Sequence, residues 1–181
     1  MCDAVVPEQH GHVVDVESRS LLCACRACFL LFTSHEAGGG RFRAVPDRYR
    51  HDQAHPLTKP EWESLGVPVG SAFFLRTGGK VAAFYPSPAG ATECLLDLAA
   101  WDRLAVEHPL LSAAEEDVEA VLVRTTDDGV LAYLVPIDAC YELVGTVRVY
   151  WQGFDGGAEA AAHVDAFFAR IAELARPVEA G

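Results

Sequence analysis

The 181-residue sequence lacks a long apolar run. Its longest apolar stretch, near residues 27–32, is far shorter than the ~20 residues that a helix needs to cross a bilayer. The N-terminus also lacks the cationic segment followed by an apolar segment that marks a secretory signal. We therefore expect a cytoplasmic protein without membrane insertion.

Positive charge is also scarce. Lysine and arginine together number 14 against 26 aspartates and glutamates, so the formal net charge is −12. A general nucleic-acid-binding protein needs a basic surface to neutralise phosphates, and this balance argues against that class. Because 51% of the residues are apolar, the chain can nevertheless bury a substantial core.

Recognisable catalytic motifs are missing as well. No lysine follows the run Tyr85–Glu93, as a phosphate-binding loop requires, and Ser87 lacks the G-x-S-x-G frame of a nucleophile elbow. We interpret this run as a rigid connector in which Thr92 caps a following helix. The sequence therefore favours a non-catalytic protein.

What the sequence does contain is a cluster of three cysteines, Cys23, Cys25 and Cys28, in a C-x-C-x-x-C arrangement. Thiolates this close along the chain suit one soft metal ion, and a cytoplasmic location keeps them reduced. We predict a metal site with zinc, and an iron–sulfur cluster is the less favoured metal. Buried unligated cysteines and a redox-active C-x-x-C pair are the other interpretations.

A tetrahedral zinc site needs two ligands besides the C-x-x-C pair of Cys25 and Cys28. We assign them to Cys2 and His12, because an extended hairpin arm can bring residues about 10 apart to one centre. The alternates are Cys23, His10 and His35. A second C-x-x-C would need a cysteine upstream of Met1, so we expect either an upstream start or a histidine ligand.

The stretch after the cysteine cluster is rich in glycine, proline and arginine. Its arginines either bind an acidic partner or balance acidic groups of the chain itself. They are Arg41, Arg43, Arg48 and Arg50. We divide the chain into a Cys/His-rich metal-binding module (1–40), a linker-like arginine-rich segment (41–57) and an α+β body (58–181).

Hydrophobic periodicity and turn signals predict the fold. Gly78-Gly79 and Asp127-Asp128-Gly129 mark two hairpins. Their strands are predicted over 71–77, 80–85, 118–125 and 130–136, with a further strand over 143–151. Helices are predicted over 92–107 and 158–175, with a short capped helix after Thr58. The expected class is α+β, an antiparallel sheet with packed helices preceded by a small zinc-ribbon-like module.

Several segments of the chain carry a family resemblance. They are His10–Asp15, Glu17–Cys28, Gly38–Pro46, Tyr85–Glu93 and Leu134–Asp138. These segments resemble an uncharacterised bacterial family that is encoded beside aerobic nickel–iron hydrogenases, and the similarity covers nearly the whole chain. Members typically begin with a C-x-x-C, of which Cys2 is similar to the second cysteine. The resemblance implies hydrogenase subunits or maturation factors as partners, and it implies no particular activity.

The sequence as a whole favours an accessory protein over an enzyme. We expect a structural metal site that folds an arm too small to form its own core. The body would present a surface to a larger protein partner, in hydrogenase maturation or assembly as the resemblance implies. The alternative is a redox or metal-dependent enzyme that uses the C-x-C-x-x-C site for its chemistry.

Overall fold

Two β-sheets organise the chain. The computed structural model describes Cys2 and residues 4–34, 36–153 and 155–178. The first sheet contains β1 (Gly11–Asp15), β2 (Ser20–Ala24) and β3 (Phe42–Ala44). Strand β1 lies in the middle and is antiparallel to both neighbours. Helix α1 (Arg26–Leu31) and a short 3₁₀ turn (Ala37–Gly40) connect β2 to β3.

The second sheet forms the centre of the body. Its strands are β4 (Arg50–His51), β5 (Ser71–Thr77), β6 (Lys80–Ser87), β7 (Gly90–Cys94), β8 (Glu119–Thr125), β9 (Val130–Pro136) and β10 (Arg176–Pro177). Their order is β10–β4–β9–β8–β5–β6–β7. Neighbouring strands are antiparallel except β10 and β4, which are parallel.

Helices pack on both faces of this second sheet. They are α2 (Lys59–Ser64), α3 (Leu98–Glu107), α4 (Pro109–Ser112), α5 (Ile137–Tyr150) and α6 (Gly157–Leu174). With α1, the described residues form six α-helices, and the expected α+β class with antiparallel sheets is confirmed. None of the helices in these residues combines the length and the apolar character needed to cross a membrane.

Strand β8 lies at the middle of the second sheet and is buried on both faces. Leu122 belongs to the core that contains α5 and α6, and Val121 belongs to the core that contains α2, α3 and α4. Successive side chains of a strand point to opposite faces, so a strand covered on both faces is apolar throughout. This explains the run Ala120–Val123, which is buried without interruption.

Local sequence rules located several elements correctly. Both predicted hairpins are confirmed. Gly78 and Gly79 have φ angles of 56° and 72°, which glycine adopts without strain in a tight turn. Thr58 and Glu61 form the predicted capping box of α2. Helix α6 lies within one residue of the predicted 158–175 at each end.

The strand predicted over 143–151 is wrong, because nearly all of these residues belong to helix α5. Val144, Val147 and Val149 favour a strand when they are considered alone. The buried side chains of α5, however, recur at helical spacing from Ile137 onwards. Burial of this face against the sheet and α6 overrides the local preference.

The helix predicted over 92–107 begins too early. Residues Gly90–Cys94 form β7, which pairs with β6. Helix α3 begins after Asp97, whose side chain accepts a hydrogen bond from the Ala100 backbone N–H at 2.8 Å. Thr92 is therefore a strand residue and not a helix cap. The run interpreted as a connector is part of a β6–β7 hairpin.

Residues 41–57 connect the two sheets and supply a strand to each, β3 to the first and β4 to the second. Within the described residues, three of the four arginines in this segment form ion pairs. The pairs are Arg41 with Asp15, Arg43 with Glu115, and Arg48 with Glu119. This favours the interpretation in which the arginines balance local acidic groups. The division of the chain into separate folding units stays a prediction.

Glu119 is the buried end of one of these pairs and the first residue of β8. Its side chain is 0% exposed. The carboxylate accepts hydrogen bonds from Arg48 Nε at 2.7 Å and from the backbone N–H of Glu115 at 2.9 Å. The pair therefore fixes the segment that leads to β4 against the central strand.

We expect Glu119→Gln to lower the free energy of unfolding by about 3 kcal/mol. The neutral amide removes the charge with which Arg48 pairs, and its NH2 group would face the N–H groups of Arg48 and Glu115. The matched control is Glu142→Gln. Glu142 forms an exposed pair with Arg170, and such pairs contribute at most about 1 kcal/mol. Denaturant unfolding measures both variants, and equally small losses would show that the buried pair is not important for stability.

Candidate metal centre

Three thiols converge beside the first sheet. Cys2 Sγ lies 3.4 Å from Cys28 Sγ and 3.5 Å from Cys25 Sγ. All three sulfurs lie within 4.8 Å of one another. With Zn–S bonds of about 2.3 Å, the sulfurs of a tetrahedral zinc site lie about 3.8 Å apart. Small side-chain adjustments would therefore place all three around one ion.

The first turn of α1 brings two of these thiols together. Cys25 precedes the helix, and its carbonyl accepts a hydrogen bond from the backbone N–H of Phe29 at 2.9 Å. Cys28 follows three residues later, so both side chains lie on the same side of the helix. Cys28 is buried and packs in the cluster that contains Val13. Cys2 comes from the exposed arm that precedes β1.

Hydrogen bonds in and around the cluster shift the pKa values of Cys2 and Cys25 in opposite directions. The backbone N–H of Cys28 and the thiol of Cys2 lower the pKa of Cys25. The Ala4 backbone lowers the pKa of Cys2, but hydrogen bonds with Cys28 and Cys25 oppose this, and the net pKa is raised. Cys25 therefore ionises before Cys2. A thiolate is both the nucleophilic and the metal-binding form of cysteine.

The structure separates the predicted zinc ligands and their alternates into two groups of three. The first group is Cys2, Cys25 and Cys28, and the second is His10, His12 and Cys23. His12 thus lies with two of the alternates, because it pairs directly with Cys23 across β1 and β2. The remaining alternate, His35, lies outside the described residues.

The second group includes a contact that the sequence did not indicate. His12 Nδ1 lies 2.7 Å from Asp138 Oδ2, which joins β1 to the first turn of α5. The two residues are 126 positions apart, so no local pattern connects them. Asp138 ends one of the segments that carry the family resemblance, but nothing in that segment assigned it a role.

A further group of metal-binding residue types, Glu61, Glu107 and His108, has a different explanation. Glu61 Oε2 accepts from the Thr58 backbone N–H at 2.7 Å, and Glu61 Oε1 lies 3.2 Å from His108 Nε2. His108 Nδ1 lies 3.1 Å from the backbone oxygen of His55. Both imidazole nitrogens of His108 have partners. Glu61 therefore serves to cap α2, and His108 holds the loop at His55.

Comparison with known proteins supports the resemblance at the level of the family. A family of unknown function (DUF5947) matches residues 1–175. The chain belongs to this family. No curated protein and no solved structure matches it.

In the reduced, metal-free protein at neutral pH, we expect iodoacetamide to modify Cys25 faster than Cys2. Cys2 is the more exposed residue, but its pKa is raised while that of Cys25 is lowered. Only the thiolate reacts, so the lower pKa of Cys25 should affect the labelling rate more than the greater exposure of Cys2. Added Zn²⁺ should protect both residues. Peptide mapping by mass spectrometry gives the rates.

Cys140 is the internal reference for this labelling experiment, because burial raises its pKa and it should react last. Faster labelling of Cys2 than of Cys25 would contradict the hydrogen-bonded arrangement of the cluster.

Proposed function

We propose that this DUF5947 chain is a non-catalytic accessory protein whose N-terminal module is held together by one zinc ion. Cys2, Cys25 and Cys28 supply three thiolates to this ion. Thiolate sulfur is a soft ligand that selects zinc over magnesium and calcium. A closed structural site requires a fourth ligand in addition to these three thiolates.

The observation that carries the proposal is the small core beside the first sheet. In the described residues, the buried members of this cluster are Val13, Ala24, Cys28 and Phe32. Units of about 40 residues or fewer usually need disulfides, metals or association to fold. All six cysteines are free, so disulfides do not supply that support here. Structural zinc contributes about 10–16 kcal/mol in comparably small modules.

The position of the thiols fits a structural role. Cys2 lies in the arm that precedes β1, whereas Cys25 and Cys28 lie at the beginning of α1. One ion would therefore tie the arm to the helix. Because Cys28 is also a buried member of the core, metal binding and packing would stabilise the same conformation.

The proposed biological role is assistance in the maturation or assembly of a nickel–iron hydrogenase. Its support is the resemblance of segments such as Glu17–Cys28 to proteins encoded beside these enzymes. The partner would be a hydrogenase subunit or maturation factor, and the net charge of −12 would favour a basic surface on it. Free thiols suit the reducing cytoplasm.

We expect wild-type protein purified without chelator to contain zinc, and Cys25→Ser and Cys28→Ser each to lose one ion per chain. Removal of a thiolate leaves too few sulfur ligands to hold the ion at this site. Cys94→Ser is the matched control, because Cys94 lies on β7 outside both groups of potential ligands. Native mass spectrometry counts the ions.

Chelator should also lower the melting temperature of the wild type and increase amide hydrogen exchange in β1 and α1 more than in β8. A metal-free wild type whose melting temperature is unaffected by chelator would contradict the zinc proposal. A Cys25–Cys28 disulfide in such a protein would support the redox alternative.

Co-purification from the native host at low salt tests the proposed partner. Hydrogenase subunits or maturation factors should accompany the wild type and Cys94→Ser, and they should be depleted with Cys28→Ser if the partner contacts the metal-stabilised module. Recovery of zinc-loaded protein without any hydrogenase protein would contradict the proposed biological role, but it would not contradict the proposed metal site.

A further inference from the structure

His10, His12 and Cys23 form a second cluster of metal-binding groups, separate from the three thiols of the proposed zinc site. The register of β1 and β2 places His12 directly opposite Cys23, and His10 immediately precedes β1. The two imidazole rings lie 4.9 Å apart at an angle of 72°. Imidazole nitrogen and thiolate sulfur are the ligands that zinc and neighbouring divalent metals prefer.

Hydrogen bonds to one nitrogen of each ring fix its tautomer. His10 Nδ1 lies 2.8 Å from the carbonyl oxygen of Pro7 and 3.0 Å from that of Glu8. Carbonyl oxygens only accept, so Nδ1 carries the proton and Nε2 carries the lone pair. His12 Nδ1 donates in the same way to Asp138 Oδ2 at 2.7 Å. Metal-binding histidines typically donate their other N–H to a carbonyl or carboxylate in this manner.

His10 Nε2 provides an independent observation. This atom is buried and has no hydrogen-bond partner, and it is the one buried side-chain nitrogen or oxygen in the described part of the chain for which this is true. A buried polar atom without a partner is destabilising. If His10 only supported the loop at Pro7, its Nδ1 contact would be explained, but the unpartnered Nε2 would not. A metal ion would accept the lone pair of Nε2.

The cluster borders a cavity of about 580 Å³ whose lining includes His10, His12, Tyr49 and Asp138. Three protein ligands leave a coordination position for water or another ligand, as in zinc sites that exchange ligands. We propose that His10, His12 and Cys23 bind a second divalent metal ion of the zinc type, with an open position on the side of this cavity. This ion would be exchangeable, whereas the ion at the thiol cluster would be structural.

Titration of the reduced full-length protein with Zn²⁺, followed by native mass spectrometry, tests the second site. The wild type should bind two ions, and His10→Ala and Cys23→Ser should each bind one. Cys28→Ser should also bind one, because it loses the other site. The control is His163→Ala, which removes an exposed histidine of α6 and should leave both ions in place.

Asp138→Asn tests the orienting contact without removing a ligand. It should weaken binding of the second ion about 10–100-fold in competition with a chelator, and it should leave the ion at the thiol cluster unaffected. Circular dichroism checks the fold of each variant. If His10→Ala unfolds, His10→Gln replaces it, because its side chain is closer in size and can still donate to the Pro7 carbonyl.

The outcomes separate this inference from the proposed structural zinc. If the wild type binds one ion, and this ion is lost in Cys28→Ser and kept in His10→Ala, the second site is overturned and the site at the thiol cluster stands. If the wild type binds one ion, and both Cys28→Ser and His12→Ala lose it, residues of the two groups bind the same ion and the two-site arrangement is overturned. Two ions retained in His10→Ala would also overturn the assignment.

Discussion

The shortage of apolar side chains beside the first sheet is the constraint on which the rest of the N-terminal structure depends. The buried members of this cluster, within the described residues, are Val13, Ala24, Cys28 and Phe32. Contacts with the body compensate in part, because Val14 and Val45 belong to the core that contains α5 and α6. Since Cys28 is both a core residue and a potential ligand, a metal ion bound there would couple to the folding of this segment.

Charge pairs reinforce the same region in a chain that is acidic overall. Arg41 lowers the pKa of Asp15 to about 2, through hydrogen bonds that outweigh the effect of burial. A lowered carboxyl pKa stabilises the fold at neutral pH, and this contribution is lost as the pH falls through about 2. Arg43 reaches from β3 to Glu115, which precedes β8. Arg43, which looks available for a partner in the sequence, thus lies at the boundary between the two sheets.

Features set by short-range rules were predictable from the sequence. The Gly78-Gly79 turn, the capping box of α2 and the convergence of Cys25 with Cys28 each depend on residues a few positions apart. Helix α5 was missed because its helical preference comes from burial against the sheet and α6. The pairing of His12 with Cys23 depends on hairpin register, and the contact with Asp138 spans 126 positions. No pattern along the chain contains such information.

Anomalous diffraction at the zinc absorption edge, from crystals of the zinc-loaded wild type, tests the central claim most directly. The account predicts an anomalous peak about 2.3 Å from the sulfurs of Cys2, Cys25 and Cys28. A zinc-loaded crystal with no peak among these three sulfurs, or with Cys25 and Cys28 joined in a disulfide, would contradict the account.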